Sequence, residues 1–320
     1  MSPRILVAVA CALVALAVAA DHAAAHGLAG RRFFPSTLAT EDPFVADELS
    51  FPSFTLLKRR GSADEPDTNE ASISGEWSKR VTRDLGISLG GGLLHIDPQG
   101  GPTQTGFENL EVTLKYQFLR NAEHEAVAAI AVGWEVGGTG RKAVGSESFD
   151  VVDPSVLFGK GFGDLPSAVS ALRPLALTGL AGVRIPTRGS TRTVRVDGDE
   201  VEEEIERHPN VFHWGLALQY SLPYLQSFVK DVGLPAPFDR MIPLVEVEFS
   251  HPLDRGRSGQ YTGTVNPGVI WAGTYFQIGV EAILPVNERT GKNVGVRALL
   301  HFFLDDIFPT SLGRPLFGGR

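Results

Sequence analysis

The chain contains one cysteine, Cys11, and it lies in the first twenty residues. Those residues read as a secretory signal. Arg4 supplies the positive n-region and Ile5 to Ala20 the apolar h-region. Ala23-Ala24-Ala25 is a small-residue cleavage motif that would make His26 the mature N-terminus. Ala8 stands three positions before the cysteine, where a lipoprotein signal carries a larger aliphatic residue. The expected mature chain has no cysteine, which excludes disulfides, thiolate metal sites and a thiol nucleophile. Beyond the signal there is no apolar run near the roughly 20 residues a spanning helix needs. An excess of positive charge is also missing: 29 Lys and Arg face 37 Asp and Glu, for a net charge of −8. Phosphate backbones need a basic face, so nucleic acid is excluded as the main partner.

What is present is alternation. Leu110, Val112, Leu114, Tyr116 and Phe118 fall on one face of an extended segment, and Glu111, Thr113, Lys115 and Gln117 on the other. Only a strand, with its period of two, sorts residues this way. The pattern returns in Phe212–Tyr220, Val245–Ser250, Phe276–Leu284 and Val294–Leu304, and more weakly at 49–57, 71–80, 85–96, 126–137, 151–160, 173–186 and 262–271. The expected fold is therefore all-β, an antiparallel transmembrane β-barrel of about 12 strands preceded by a signal peptide. The expected organisation is a signal at 1–25, an irregular segment at 26–48, the barrel at 49–304 and a periplasmic tail at 305–320.

Connection lengths fit that reading. With both termini in the periplasm, segments 58–70, 97–107, 138–150, 187–209, 252–261 and 286–292 fall outside the cell and are long and polar. Segments 81–84, 120–125 and 272–273 are short periplasmic turns, as outer-membrane barrels have. Segments 161–172 and 223–240 are long for that side, and Tyr224–Val229 has the look of a short helix under the barrel. Trp77, Phe118, Trp134, Tyr220, Trp271 and Phe303 sit near strand ends, where aromatic girdles are expected. Ordinary core packing in a soluble periplasmic β protein accounts for the same alternation.

The charged faces of the strands carry Glu111, Lys115, Glu135, Arg184, His213, Glu246, Glu248, Glu281, Arg297 and His301. In a barrel they face the lumen, either as a polar constriction that selects what passes or as an ion-pair network that fills the interior. No catalytic residue, metal ligand set or cofactor is expected. The clusters Gly137-Gly138-Thr139-Gly140 and Gly159-Lys160-Gly161-Phe162-Gly163 read as turns, because neither has the lysine followed by Ser or Thr of a phosphate loop. The acidic run from Asp197 to Glu204 reads as a solvated external loop without calcium-loop spacing. His26, with its free amine, offers copper only part of a ligand set.

The C-terminal third carries Asn266-Pro267-Gly268-Val269, Phe276-Gln277-Ile278-Gly279-Val280-Glu281, Leu284-Pro285-Val286-Asn287 and Leu300-His301-Phe302-Phe303-Leu304-Asp305-Asp306. This stretch resembles the outer-membrane transporter-like proteins of the phenol-degradation meta-pathway family. The resemblance implies an outer-membrane barrel, surrounded by lipid, that takes part in uptake of small hydrophobic or aromatic molecules, with no catalytic residue carried over. The alternative is a structural or ligand-binding envelope barrel with a closed lumen. One departure is visible: barrels of this kind end on a strand with a terminal aromatic, whereas here Ile307–Phe317 follows the last strand and echoes Phe33-Phe34-Pro35-Ser36-Thr37-Leu38.

Overall fold

The computed structural model describes residues 27–59, 67–197 and 200–317; Cys11, His26 and the rest of the expected signal lie outside them. Twelve strands form the wall: β1 (Glu48–Arg59), β2 (Thr68–Arg80), β3 (Leu85–Pro98), β4 (Leu110–Asn121), β5 (Ala126–Val136), β6 (Val151–Gly161), β7 (Leu175–Pro186), β8 (Val211–Tyr220), β9 (Met241–Pro252), β10 (Thr262–Ala272), β11 (Phe276–Pro285) and β12 (Gly295–Phe303). Each pairs antiparallel with its neighbours in chain order, and β12 pairs back onto β1, with Val296 opposite Leu56 and Phe303 opposite Glu48. The sheet is therefore a closed barrel with no free edge. Among the described residues no helix is long and apolar enough to cross a membrane.

Alternation decides which side chains face out. Ile130, Val132 and Trp134 of β5 are about half exposed, while Ala129 and Ala131 between them are buried. Leu114 on β4, Ile278 and Val280 on β11 and Val296 on β12 share the outer face, with Lys115, Gln277, Glu281 and Arg297 turned inward. A wall of exposed apolar side chains all round the molecule exceeds any patch a water-soluble monomer carries, and lipid is the solvent that suits it. Aromatic rings cluster on that face near the long-loop end, where Trp214 stacks on Phe249 at 4.8 Å. Phe303 does not join them: it lies on the inward register of β12, 1% exposed, with its ring edge-on to Phe33 at 6.1 Å.

Three local expectations are corrected. The segment 187–209 is not an irregular loop but holds a hairpin of Ser190–Asp197 and Glu200–Arg207. Residues 198–199 of its acidic tip lie outside the described residues. A short strand, Gln104–Phe107, pairs antiparallel with Leu93–Ile96 in the upper part of β3, within a segment expected to be loop. The second glycine cluster is a turn only at its end: Gly163 opens a turn, whereas Gly159 and Gly161 are inward positions at the end of β6. A Cβ at Gly159 would lie 2.8 Å from Val127 and 3.3 Å from the Phe34 ring, so these glycines make room for something inside the barrel.

That something is the N-terminal segment. After a two-residue hairpin (Leu28–Ala29 with Arg32–Phe33), residues 34–47 run irregularly through the lumen before entering β1. Phe34 and Phe44 pack with Val127 and Ala176, and Phe33 and Leu38 pack against Ile242, Leu244 and Ile270 across the barrel. Arg32, fully buried, donates to Glu125 at 3.1 Å and to the carbonyls of Arg173 and Pro174, and stacks on Tyr224 at 3.7 Å. All these partners lie at the short-turn end, where Leu222–Tyr224 and Leu225–Val229 form the expected helical turns. The C-terminal tail closes the same end. Lys79 donates to the carbonyls of Leu312 and Arg314, and the buried Asp47 carboxylate accepts from Lys79 at 2.7 Å and Arg80 at 2.6 Å.

Candidate functional site

A cavity of about 600 Å³ opens inside the barrel above the N-terminal segment, whose residues 36–42 form its floor. Its walls come from β1 to β7 and from Leu299 of β12; β8 to β11 contribute no lining residue. Small residues, Gly90 to Gly92, Ser50, Ser53 and Ser74 among them, keep the space open on the β1–β3 side. Its rim reaches Glu108, Asn109, Gly145 and Ser146, in the long connections at the end away from the termini.

The lining is acidic. Glu41, Asp42, Glu48, Glu76, Glu108, Glu111, Glu135 and Asp153 face it, against Lys115 and Arg184 as permanent cations. Lys115 is drawn to the floor, with Nζ 2.7 Å from Glu41 and 2.8 Å from the Asp42 carbonyl. Arg184 pairs with Glu135 at 2.5 Å, and Asn109 donates to the other oxygen of that carboxylate. Both cations are therefore already engaged by carboxylates, and the surplus is negative. Three of the acids, Glu41, Asp42 and Glu108, lie outside the strands. Burial raises the Asp42 carboxyl above its ordinary range and the Glu48 charge adds to this, while Lys115, the Phe44 N–H and the Ser36 hydroxyl oppose it. Burial likewise raises Glu108, with Glu135 and Glu70 pushing the same way.

The ten residues expected in the lumen all point inward, but they divide into two groups. Glu111, Lys115, Glu135 and Arg184 line the cavity. His213 touches it through Asp153, whose Oδ1 is 2.8 Å from Nε2, and His301 through Ser50 and Glu48, at 2.8 and 3.1 Å. Glu246, Glu248, Glu281 and Arg297 lie on the filled side. Arg297 donates to Glu281 at 2.9 Å and approaches Glu248 at 3.6 Å. Glu246, fully buried, accepts the backbone N–H groups of Leu38, Ala39 and Thr40 at 2.9, 3.1 and 2.8 Å. It is an anchor for the N-terminal segment, a use that strand alternation cannot reveal.

Six lining acids were not among the expected residues: Glu41, Asp42, Glu48, Glu76, Glu108 and Asp153. Glu41 and Asp42 belong to the segment that enters the lumen, and Glu108 to a connection. The inward glycines were the available signal, since Gly159 meets Phe34, Gly215 meets Thr40 and Gly279 meets Leu38. Gly86-Ile87-Ser88-Leu89-Gly90 has the spelling of a nucleophile elbow, which requires a sharp strand-to-helix turn. Here it is continuous strand, with Ser88 paired to Ser78 and Thr113, and no elbow exists.

No family model matches the chain, and no curated protein matches it in sequence. Solved structures do match in shape. An outer-membrane channel from Pseudomonas putida F1 aligns over 85% of this chain and 99% of its own, with 11% identity and a TM-score of 0.53. The NanC porin aligns over 79% and 98% at 8% identity, with a TM-score of 0.43. The KdgM porin aligns over 80% and 98% at 10% identity, with a TM-score of 0.41. The first of these likenesses establishes the fold: the chain is built as an outer-membrane β-barrel, and its neighbours in shape are channel and porin barrels.

Proposed function

We propose that this protein is a passive outer-membrane channel for small polar molecules, with a preference for cations. It is not an enzyme. The observation that carries the reading is the acidic cavity, in which eight carboxylates face two cations that are themselves ion-paired. Rings of Asp and Glu attract cations and repel anions, and low-dielectric walls focus that field. The resemblance of the C-terminal third to the phenol-degradation meta-pathway proteins argues for hydrophobic or aromatic permeants; the Ser, Gly and Glu lining favours polar ones. In this reading permeants would enter from the long-loop end, and the floor at residues 36–42 would set the size limit.

Planar-bilayer recording in a KCl gradient tests this. The reversal potential is expected on the cation-selective side, and Glu111→Gln is expected to lower the cation-to-anion permeability ratio by about twofold, since removing one of several clustered charges changes the local potential by a fraction of a kcal/mol. No conductance at all would favour the closed-lumen structural barrel. Anion selectivity would remove the cation preference while leaving a channel.

A further inference from the structure

We propose that the outer hairpin is clamped to the neighbouring loop by a first-row divalent metal ion, such as Zn²⁺, held by Glu147, Glu206 and His208. The ligand atoms of these three residues lie within 4.8 Å of one another. Strand geometry builds two of them. Glu206 and His208 are two apart in extended chain and so share a face, and Glu206 stands opposite Thr191 across the hairpin. Glu147 comes from the loop between β5 and β6, far away in sequence. Its carbonyl accepts from Gly138 N and from Asn109 Nδ2 at 3.0 Å, which fixes the backbone that carries it.

The imidazole is the second and independent observation. His208 is over nine-tenths buried, and its ring packs on Phe149 at 4.5 Å. Nε2 is 2.9 Å from the Thr191 hydroxyl, a partner on the outer side of the ring. Among the described residues Nδ1 has no hydrogen-bond partner: it faces Glu147 Oε1 at 3.5 Å, too long for one. When Nε2 carries the proton and gives it to Thr191, Nδ1 presents a bare lone pair to two carboxylates. That arrangement is repulsive alone and attractive around a cation. An ion about 2.0–2.2 Å from each ligand sets neighbouring ligand atoms roughly 3.3–3.6 Å apart. The His208–Glu147 spacing already meets this, and the exposed Glu206 side chain supplies the remaining movement. One imidazole with two carboxylates and no thiolate suits Zn²⁺ and its first-row neighbours, whereas Ca²⁺ and Mg²⁺ prefer oxygen alone. Thr191 then acts as the outer partner that fixes the ring.

The test uses the full-length barrel in detergent, stripped with chelator and incubated with Zn²⁺, Ca²⁺ or Mg²⁺. Bound metal is measured after desalting, and cleavage within the 190–207 hairpin by a protease is followed in parallel. Expected are one tightly held Zn²⁺ per chain, no comparable Ca²⁺ or Mg²⁺, and slower hairpin cleavage with Zn²⁺. Glu206→Gln, an exposed change that keeps the fold, is expected to lose most of the binding, and Thr191→Val to weaken it about 10–100-fold. The proposal is overturned by a wild-type chain that holds no Zn²⁺, or by Zn²⁺ binding that survives both Glu206→Gln and His208→Ala. Either result leaves His208 and Glu147 as a simple ion pair.

Discussion

The two halves of the lumen use similar residues to opposite ends. On the β1–β7 side, inward carboxylates meet glycine and serine and look into an open cavity. On the β8–β11 side, Glu246 is consumed by three N–H groups of the N-terminal segment, and Glu281 and Glu248 share Arg297. A count of charges on a strand face therefore does not distinguish an ion path from an interior scaffold. What distinguishes them is whether another stretch of chain lies against the face.

The filled half should break more severely. Glu246→Ala leaves three backbone donors without their acceptor. At 1–3 kcal/mol for each buried group, partly relieved by relaxation, the loss is about 3 kcal/mol or more. Heat-modifiable gel migration is expected to show a lower unfolding temperature. Single-channel conductance is expected to rise as residues 36–42 loosen; an unchanged conductance would mean that the segment does not limit flow.

A smaller effect sharpens the contrast between the faces of β11. Val280→Arg puts a cation on the lipid side near mid-membrane and costs roughly 2–4 kcal/mol, so assembly yield falls. Glu281→Gln on the opposite face, beside Arg297 but away from the cavity, is expected to leave cation selectivity unchanged. If Glu281→Gln shifts the reversal potential as much as Glu111→Gln does, the division into an open and a filled half is wrong.

The smallest effect is on pH. Asp42 and Glu108 have carboxyls raised above the ordinary range by burial first and by neighbouring carboxylates second. Such groups lose their charge earlier as pH falls. Cation preference should therefore begin to decline while the ordinary carboxylates, with values near 4.3, are still ionised. Glu108→Gln is expected to remove part of that early decline in the permeability ratio and leave the later part in place. A selectivity flat down to the ordinary carboxylate range would contradict it.

The wall was legible because its physics is local. Alternation in Leu110–Phe118 or Phe276–Leu284 assigns each residue a side with no knowledge of its partner strand, and the number of strands follows from repetition. Phe303 shares its parity with Arg297 and His301 and so was inward by alternation; grouping it with the girdle went by its place at the strand end instead. The contents of the lumen were not legible, because Glu246 meets Leu38 across 208 residues and nothing near either residue announces the other. The inward glycines at 159, 161, 215 and 279 were the one trace, each too small for the wall it sits in.

The position of the N-terminal segment also constrains the order of assembly. Its partners include Glu246, Gln277, which donates to the Ser36 carbonyl 241 residues away, and Phe303 at the end of the last strand. The earliest-synthesised part of the folded region therefore has no complete binding surface until the final strand has been added and the ring has closed. Contacts of such sequence separation carry the largest loop-closure cost and form late. Phe34 and Phe44 find partners on β5 and β7, whereas the seat of Phe33 waits for Phe303 on the last strand. The complete seat of the N-terminal segment therefore exists only once β12 has closed the ring against β1.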